Sequence, residues 1–369
     1  MAETKNDTSF GSVELGFVEQ TEAWLVQSCQ FPSKVGGKPA WLSMSDLPNP
    51  DDLLCNKCRQ PVVFLLQIYA PFNGKPFTFH RSLFVFICKN PQCYAVNDNR
   101  CFKVFRSQLA RKNDFYPYDP PKNNKSDGRN TDEKETMQSY NIKLCSVCGC
   151  LAPKSCSQCH MARYCSREHQ LIHWKAGHKQ QCSKKDFSDP SVPENTFLFP
   201  EYLIVTELEE LTPEKSASEV NDETQQYLPT EKNSSDDCDC VNEKDLEAFA
   251  KHESLDIKVF TKFKERISNE PDQILRYCKG GSPLWVCDKI PSKVEIPNCD
   301  CGAERVFEFQ IMPQLLNHLN VDHIGASIDW GTLVIYTCKD SCDQGNRYTA
   351  EFLWKQDFSS DDVIFAIEY

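Results

Sequence analysis

The hexapeptide GGKPAW at residues 36–41 returns as GGSPLW at 280–285, and a cysteine pair follows each copy at one distance. Gly37 stands 18 positions before Cys55, and Gly281 stands 18 before Cys299. With a small slip, Phe64, Gln67 and Ile68 are echoed by Phe307, Gln310 and Ile311. LFVFIC (83–88) before Lys89 is echoed by LVIYTC (333–338) before Lys339, and Cys93 and Cys342 then follow. Landmarks kept in one order imply two copies of one β-rich, metal-stapled unit, with everything between about 120 and 245 inserted between them.

Within the first copy, Cys55, Cys58, Cys88 and Cys93 frame two apolar runs, 62–70 and 82–88, joined by the turn-rich PFNGKP (71–76). Runs this short and this uniformly apolar suit buried strands. Four thiols at the ends of such a hairpin resemble a zinc ribbon. Cys299, Cys301, Cys338 and Cys342 occupy the matching places in the second copy, with Cys-x-Cys replacing Cys-x2-Cys. One intervening residue is tighter than usual for two thiolates on one ion. Residues 243–277 read as helix, because Leu246, Phe249 and Ala250, then Phe260, Phe263 and Ile267, recur at helical spacing.

The chain has 369 residues, room for two or three domains, and no apolar run near the ~18 residues that cross a bilayer. Its start, MAETKNDTSF, is polar rather than signal-like. The 21 cysteines are therefore expected in a reducing compartment, where paired Cys means metal more often than disulfide. Cys29, Cys278 and Cys287 have no neighbour at ligand spacing and read as buried thiols. Charge is uneven. Residues 141–185 carry +7, with Glu168 their one acid, whereas 201–240 carry −10, most of the whole-chain −12. Leu211 to Asp239 reads as a disordered acidic linker, either simply solvated or a lure for a basic partner. A pI near 5.2 is a poor match for direct nucleic-acid binding.

The insertion holds the densest ligand set: Cys145, Cys148, Cys156, Cys159, Cys165, His169, His178 and Cys182, eight within 38 residues. So short a segment cannot build a core, and two tetrahedral zinc ions would supply the missing stability. Residues 166–180 read as a helix carrying His169 and His178 toward different ions. With Tyr164-Cys165, the pair His173-Trp174 and the closing His178-x3-Cys182, the segment resembles a MYND finger. The interleaving of that family implies Cys145, Cys148, Cys165 and His169 on one zinc, and Cys156, Cys159, His178 and Cys182 on the other. His169 stands where most members carry Cys, and Cys150 falls outside the pattern. The insertion, with staples of its own, is expected to be separable from the two units.

Catalytic signals are decoys or missing. His169-Gln-Leu-Ile-His173 has metalloprotease spacing, but Gln170 replaces the general-base Glu. No P-loop, GxSxG, dinucleotide fingerprint or methyltransferase segment accompanies the finger. The expectation is a non-enzyme.

Over nearly the whole chain the sequence resembles the programmed cell death protein 2 family. The resemblance rests on KVGGKPAWL, FLLQIYAP, VFRSQLARKNDFYPYDPP (104–121), the finger, SIDWGTLVIYTC (327–338) and EFLWKQD (351–357). It implies a mostly β fold with some α: a first β unit over 10–120, a linker over 121–140 and the MYND finger over 141–185. An acidic, partly disordered linker over 186–242 and a helix with the second β unit over 243–369 complete it. It also implies a zinc protein, with two ions in the finger and one in each unit. Its expected role is a dedicated escort of a basic small-subunit ribosomal protein in ribosome biogenesis, in cytoplasm and nucleus, tied to cell proliferation and survival. The alternative is a nuclear adaptor in transcriptional regulation, with a DNA-binding role, whose finger holds short proline-containing peptides of regulatory proteins. On the escort reading, Trp41 and Trp285 either anchor each unit's core or form the client surface.

Overall fold

The computed structural model describes residues 12–72, 74–119, 142–184, 197–210, 243–321 and 327–358, the side chains of 184 and 243–254 excepted. The expected linker over 121–140, the stretch Leu211 to Asp239, and the side chains of Leu246, Phe249 and Ala250 lie outside the described residues. Ten strands close one barrel: β1 (Glu14–Glu19), β2 (Lys34–Val35), β3 (Val63–Tyr69), β4 (His80–Ile87), β5 (Phe102–Leu109), β8 (Tyr202–Leu208), β9 (Leu275–Tyr277), β10 (Arg305–Ile311), β11 (Thr332–Cys338) and β12 (Thr349–Gln356). Their order is β1-β8-β2-β3-β4-β5-β12-β11-β10-β9, with β1 also paired to β9. Of the two runs expected as strands, β3 is buried at six of its seven positions and β4 at all eight. Strands covered on both faces lose the usual alternation and read as continuous apolar runs.

The units over 10–120 and 243–369 share one sheet, because β5 pairs with β12 and β1 with β9. Two expectations are corrected. The segment 186–242 is not linker throughout: β8 fills the gap between β1 and β2. Residues 243–277 are not helix throughout: the helix (Glu243–Ile267) stops before Pro271, and Leu275–Tyr277 is strand β9. Proline disfavours helical geometry in the residue before it and cannot donate a helical hydrogen bond. The described half of the helix packs as its spacing implies, with Phe260, Phe263 and Ile267 against Val286, Met312 and Phe358.

The two meanders, β3-β4-β5 and β10-β11-β12, repeat local details. Register shifts between Phe64 and Leu66 on β3 and between Phe307 and Phe309 on β10. Gln67 accepts from the Ala40 N–H at 2.9 Å and donates to the Ala40 carbonyl at 3.1 Å. Gln310 makes the same clasp on Leu284, at 2.6 and 3.0 Å. Each buried amide thus holds the residue before the motif tryptophan, leaving no polar atom of that pair unmet.

The halves are bolted together by charge. Arg81 of β4 meets Glu308 of β10, both side chains 0% exposed, with one of the two hydrogen bonds at 2.7 Å. Glu308 also takes Thr337, Tyr277 at 3.0 Å and Lys279 at 3.1 Å. Burial alone would raise its carboxyl, but Arg81 and Lys279 outweigh that and hold it well below the usual range. A second buried carboxylate, Glu351 of β12, binds Arg106 of β5 at 2.7 Å and Arg305 of β10 at 2.8 Å.

Trp41 is 1% exposed, packed on Phe84, Phe86 and Tyr348, and its indole N–H donates to the Gly149 carbonyl of the finger at 2.8 Å. That settles Trp41 as a core residue rather than a client surface. The finger covers this tryptophan, and Lys38 donates to the Ser146 carbonyl at 3.0 Å, so finger and barrel are in contact. Trp285 is half-buried against Cys278, Phe307, Val334 and Tyr336. Trp41→Ala is expected to cost about 3–5 kcal/mol in denaturant unfolding, with a smaller loss for Trp285→Ala. Equal small losses would place Trp41 outside the core.

Candidate metal centres

Four turns of one design present the first two donors of each cluster. After Cys58, Cys148, Cys159 and Cys301 the chain turns left-handed, at Arg59 (φ 60°), Gly149 (72°), His160 (58°) and Gly302 (89°). The N–H of that residue donates to the carbonyl of the first cysteine: Arg59 to Cys55, Gly149 to Cys145, His160 to Cys156 and Gly302 to Cys299. The first cysteine's N–H is itself tied across the turn, to Gln60, Cys150, Ala162 and Ala303. The turn therefore fixes both thiols on one side before any other ligand arrives. Cys-x-Cys at 299–301 closes the same turn one residue shorter, and glycine provides its left-handed position without strain.

The remaining donors come from farther along the chain. Cys88 follows β4, and Cys93 ends a short 3-10 turn (Pro91–Cys93) whose first N–H groups are capped by Asn90. Cys338 ends β11, and Cys342 lies four residues on. In the finger, a small hairpin of β6 (Lys154–Ser155) and β7 (Arg163–Tyr164) leads to Cys165. Then come α1 (Arg167–His173), a wide turn over Trp174–His178, and α2 (Lys179–Lys184). Ser166 caps α1 by accepting from the His169 N–H at 3.1 Å. The helix expected over 166–180 is thus broken at Gly177 (φ 138°), which re-aims His178.

Each cluster brings its ligand atoms within 4.8 Å of one another: Cys55, Cys58, Cys88 and Cys93; Cys145, Cys148, Cys165 and His169; Cys156, Cys159, His178 and Cys182; Cys299, Cys301, Cys338 and Cys342. Zn–S bonds of about 2.3 Å at tetrahedral angles place sulfurs about 3.8 Å apart, and a ring nitrogen about 3.5 Å from each sulfur. The S···S distances are 3.6 Å for Cys58–Cys88 and Cys299–Cys342, 3.7 Å for Cys148–Cys165 and Cys301–Cys338, and 3.8 Å for Cys156–Cys182. His169 Nδ1 stands 3.6 Å from Cys145 and 3.0 Å from Cys165, and His178 Nε2 3.6 Å from Cys159. The residues fit tetrahedral zinc.

Electrostatics point the same way. Hydrogen bonds from Cys148 and Cys165 hold the Cys145 thiol far below its ordinary value, while Cys145 pushes both partners up. Thiols this close cannot all ionise without a cation between them, and a bound divalent ion removes that conflict. His173, the second histidine of the protease-like spacing, joins no cluster. Its Nδ1 lies 2.8 Å from the Tyr164 hydroxyl, and burial, then His178, lower its pKa to about 4. Cys150 sits outside the donor set, its thiol 3.8 Å from the Cys148 carbonyl. Sequence reasoning missed the supports: Phe197 packs edge-on to the His169 ring at 4.4 Å, from a segment read as linker.

Comparison with known proteins follows these landmarks. Residues 12–123 match the family described as "Programmed cell death protein 2, N-terminal domain", and residues 257–357 match "Programmed cell death protein 2, C-terminal putative domain". Residues 145–182 match the MYND finger. The chain is 50% identical to programmed cell death protein 2 of Rattus norvegicus, over 94% of this chain and 96% of that one. It is 29% identical to programmed cell death protein 2-like of Homo sapiens, over 86% and 87%. It is 26% identical to a Schizosaccharomyces pombe protein named "Probable 20S rRNA accumulation protein 4", over 88% and 93%. No solved structure matches.

Proposed function

The chain belongs to the programmed cell death protein 2 family, and from that premise we propose a non-enzymatic zinc protein that escorts a basic small-subunit ribosomal protein during ribosome biogenesis. The observation that carries this reading is likeness, along most of both chains, to a protein named for rRNA accumulation. A net charge of −12 suits a basic client, because opposite charge speeds encounter and shields the client from nucleic acid. Cytoplasm and nucleus are its proposed compartments. The paired clasps of Gln67 and Gln310 and the paired register shifts favour an internal duplication, each copy with its own zinc.

Affinity capture of the full chain tests the escort. One small-subunit ribosomal protein at near-equal amount is the expected result; none would overturn it. The finger's charge of +7 favours a second reading, an adaptor for nuclear regulators, under which several chromatin proteins would come down instead. Metal analysis of the purified chain is expected to give four zinc ions. Two ions at full folding would make the barrel cysteines ordinary thiols.

A further inference from the structure

Where the two halves of the barrel meet at β5 and β12, the seam is short for two eight-residue strands. β4 and β5 pair at eight positions and β11 and β12 at five, but β5 and β12 pair at three: Val104–Glu351, Phe105–Ala350 and Arg106–Thr349. Beyond Glu351 the strands part. Phe102 and Lys103 on one side and Phe352 and Leu353 on the other then line a cavity of about 620 Å3. A second cavity, of about 630 Å3, shares Asp52, Arg347 and Tyr348 with it and runs under Met44–Asn49 to Ile142 and Leu151 of the finger. The two form one groove from the seam to the finger's base, each part within the ~300–1,000 Å3 of ligand clefts.

We propose that this seam groove takes an extended segment of a basic polypeptide, laid as an added strand along the parted edges of β5 and β12. Sheet edges without a partner strand offer main-chain donors and acceptors to an incoming strand, and alternate side chains of that strand set its specificity. Asn99 covers one group on each edge, donating its amide to the Leu353 carbonyl at 2.6 Å and accepting from the Phe102 N–H at 3.1 Å. Charge identifies the occupant. Asp46, Asp51, Asp52 and Asp300 line the groove, exposed and without an ion-pair partner among the described residues. Of its cations, Arg100 is paired with Asp98 at 2.7 Å, while Lys103 and Arg347 are held by the neutral amides of Asn56 at 2.8 Å and Gln344 at 2.5 Å, so four unpaired aspartates stand against two such cations. Basic side chains alternating with apolar ones would meet the aspartates on one face and Val104 and Phe352 on the other. The proposal rests on the escort reading for the identity of the partner and on the seam for the place.

The test uses the full chain and two labelled ten-residue peptides, one alternating lysine with valine and one alternating glutamate with valine. Wild-type protein is expected to bind the lysine peptide, several-fold more weakly when salt is raised, and to ignore the glutamate peptide. The exposed pair Asp46→Asn/Asp51→Lys, with asparagine suited to the left-handed backbone at 46 (φ 52°), should weaken lysine-peptide binding at least tenfold, with melting curve and metal content unchanged. Amide exchange at 102–104 and 351–353 should slow when the lysine peptide is added. Absence of wild-type binding, equal binding of both peptides, or an unaffected variant overturns the groove. The same variant then serves as bait for the ribosomal protein, and capture is expected to fall in step. If wild-type chain captures no ribosomal protein while the peptide results hold, the escort reading fails and the groove stands.

Discussion

Glu308→Ala is expected to destabilise the barrel by about 3–5 kcal/mol, because it strands the Arg81 guanidinium at 0% exposure without a counter-charge. Lys279 and Tyr277 lose a partner as well. Removing both charges together, as Arg81→Met/Glu308→Leu, should recover part of the loss, since a matched apolar pair leaves no ion at 0% exposure, while Lys279, 17% exposed, still lacks its carboxylate. Urea or guanidinium unfolding of the single and double variants reads this directly. A double variant as unstable as Glu308→Ala would show that shape, not charge, holds the halves together. The same pair sets a pH dependence. Glu308 is held low in the folded protein, so its contribution is complete above the unfolded carboxyl value of about 4.3. It is lost progressively as pH falls through that value toward the lower folded one.

Stripping zinc from the finger is expected to unfold residues 145–182, since binding and folding there share on the order of 10–16 kcal/mol per ion. The barrel supplies its own reporter. Trp41 donates to Gly149, so losing the finger uncovers an indole that is now 1% exposed, and tryptophan emission should shift to the red. His169→Cys should keep the fold, as both residue types bind zinc at similar range. Cys165→Ala, which removes a donor shared with His169 and Cys148, should not. If chelation left emission and amide protection unchanged over 145–182, these cysteines and histidines would be packing residues.

The sequence exposed what is local and hid what is assembled. Ligand spacing pointed to the donors of all four clusters, because each knuckle turn is built from neighbours, while the division of the finger's eight donors came from its resemblance to the MYND finger. Gln67 and Gln310 recur at one place in the two copies, and each proves to be a clasp. β8 was missed although YLIVTEL is a strand pattern, because the acidic stretch around it dominated the composition of 186–242. Pro271 is the local signal that ends the helix and leaves Leu275–Tyr277 free to be strand. The meeting of Arg81 with Glu308, 227 residues apart, has no local signal. It follows only from how a closed sheet sets β4 and β10 against each other.

The strand order also has a consequence for synthesis. β1 is made first, yet its two neighbours are β8 and β9; β5 must wait for β12, the last strand of the barrel. During elongation the early meander therefore carries unsatisfied edges for about 240 residues, whereas the finger's ligands, 145 to 182, emerge together. Contacts so far apart in sequence make closure slow, and open edges invite association with other chains. A ribosome paused before residue 349 would hold a folded finger on an open sheet, and the chain's own birth would be the moment it most needs protection.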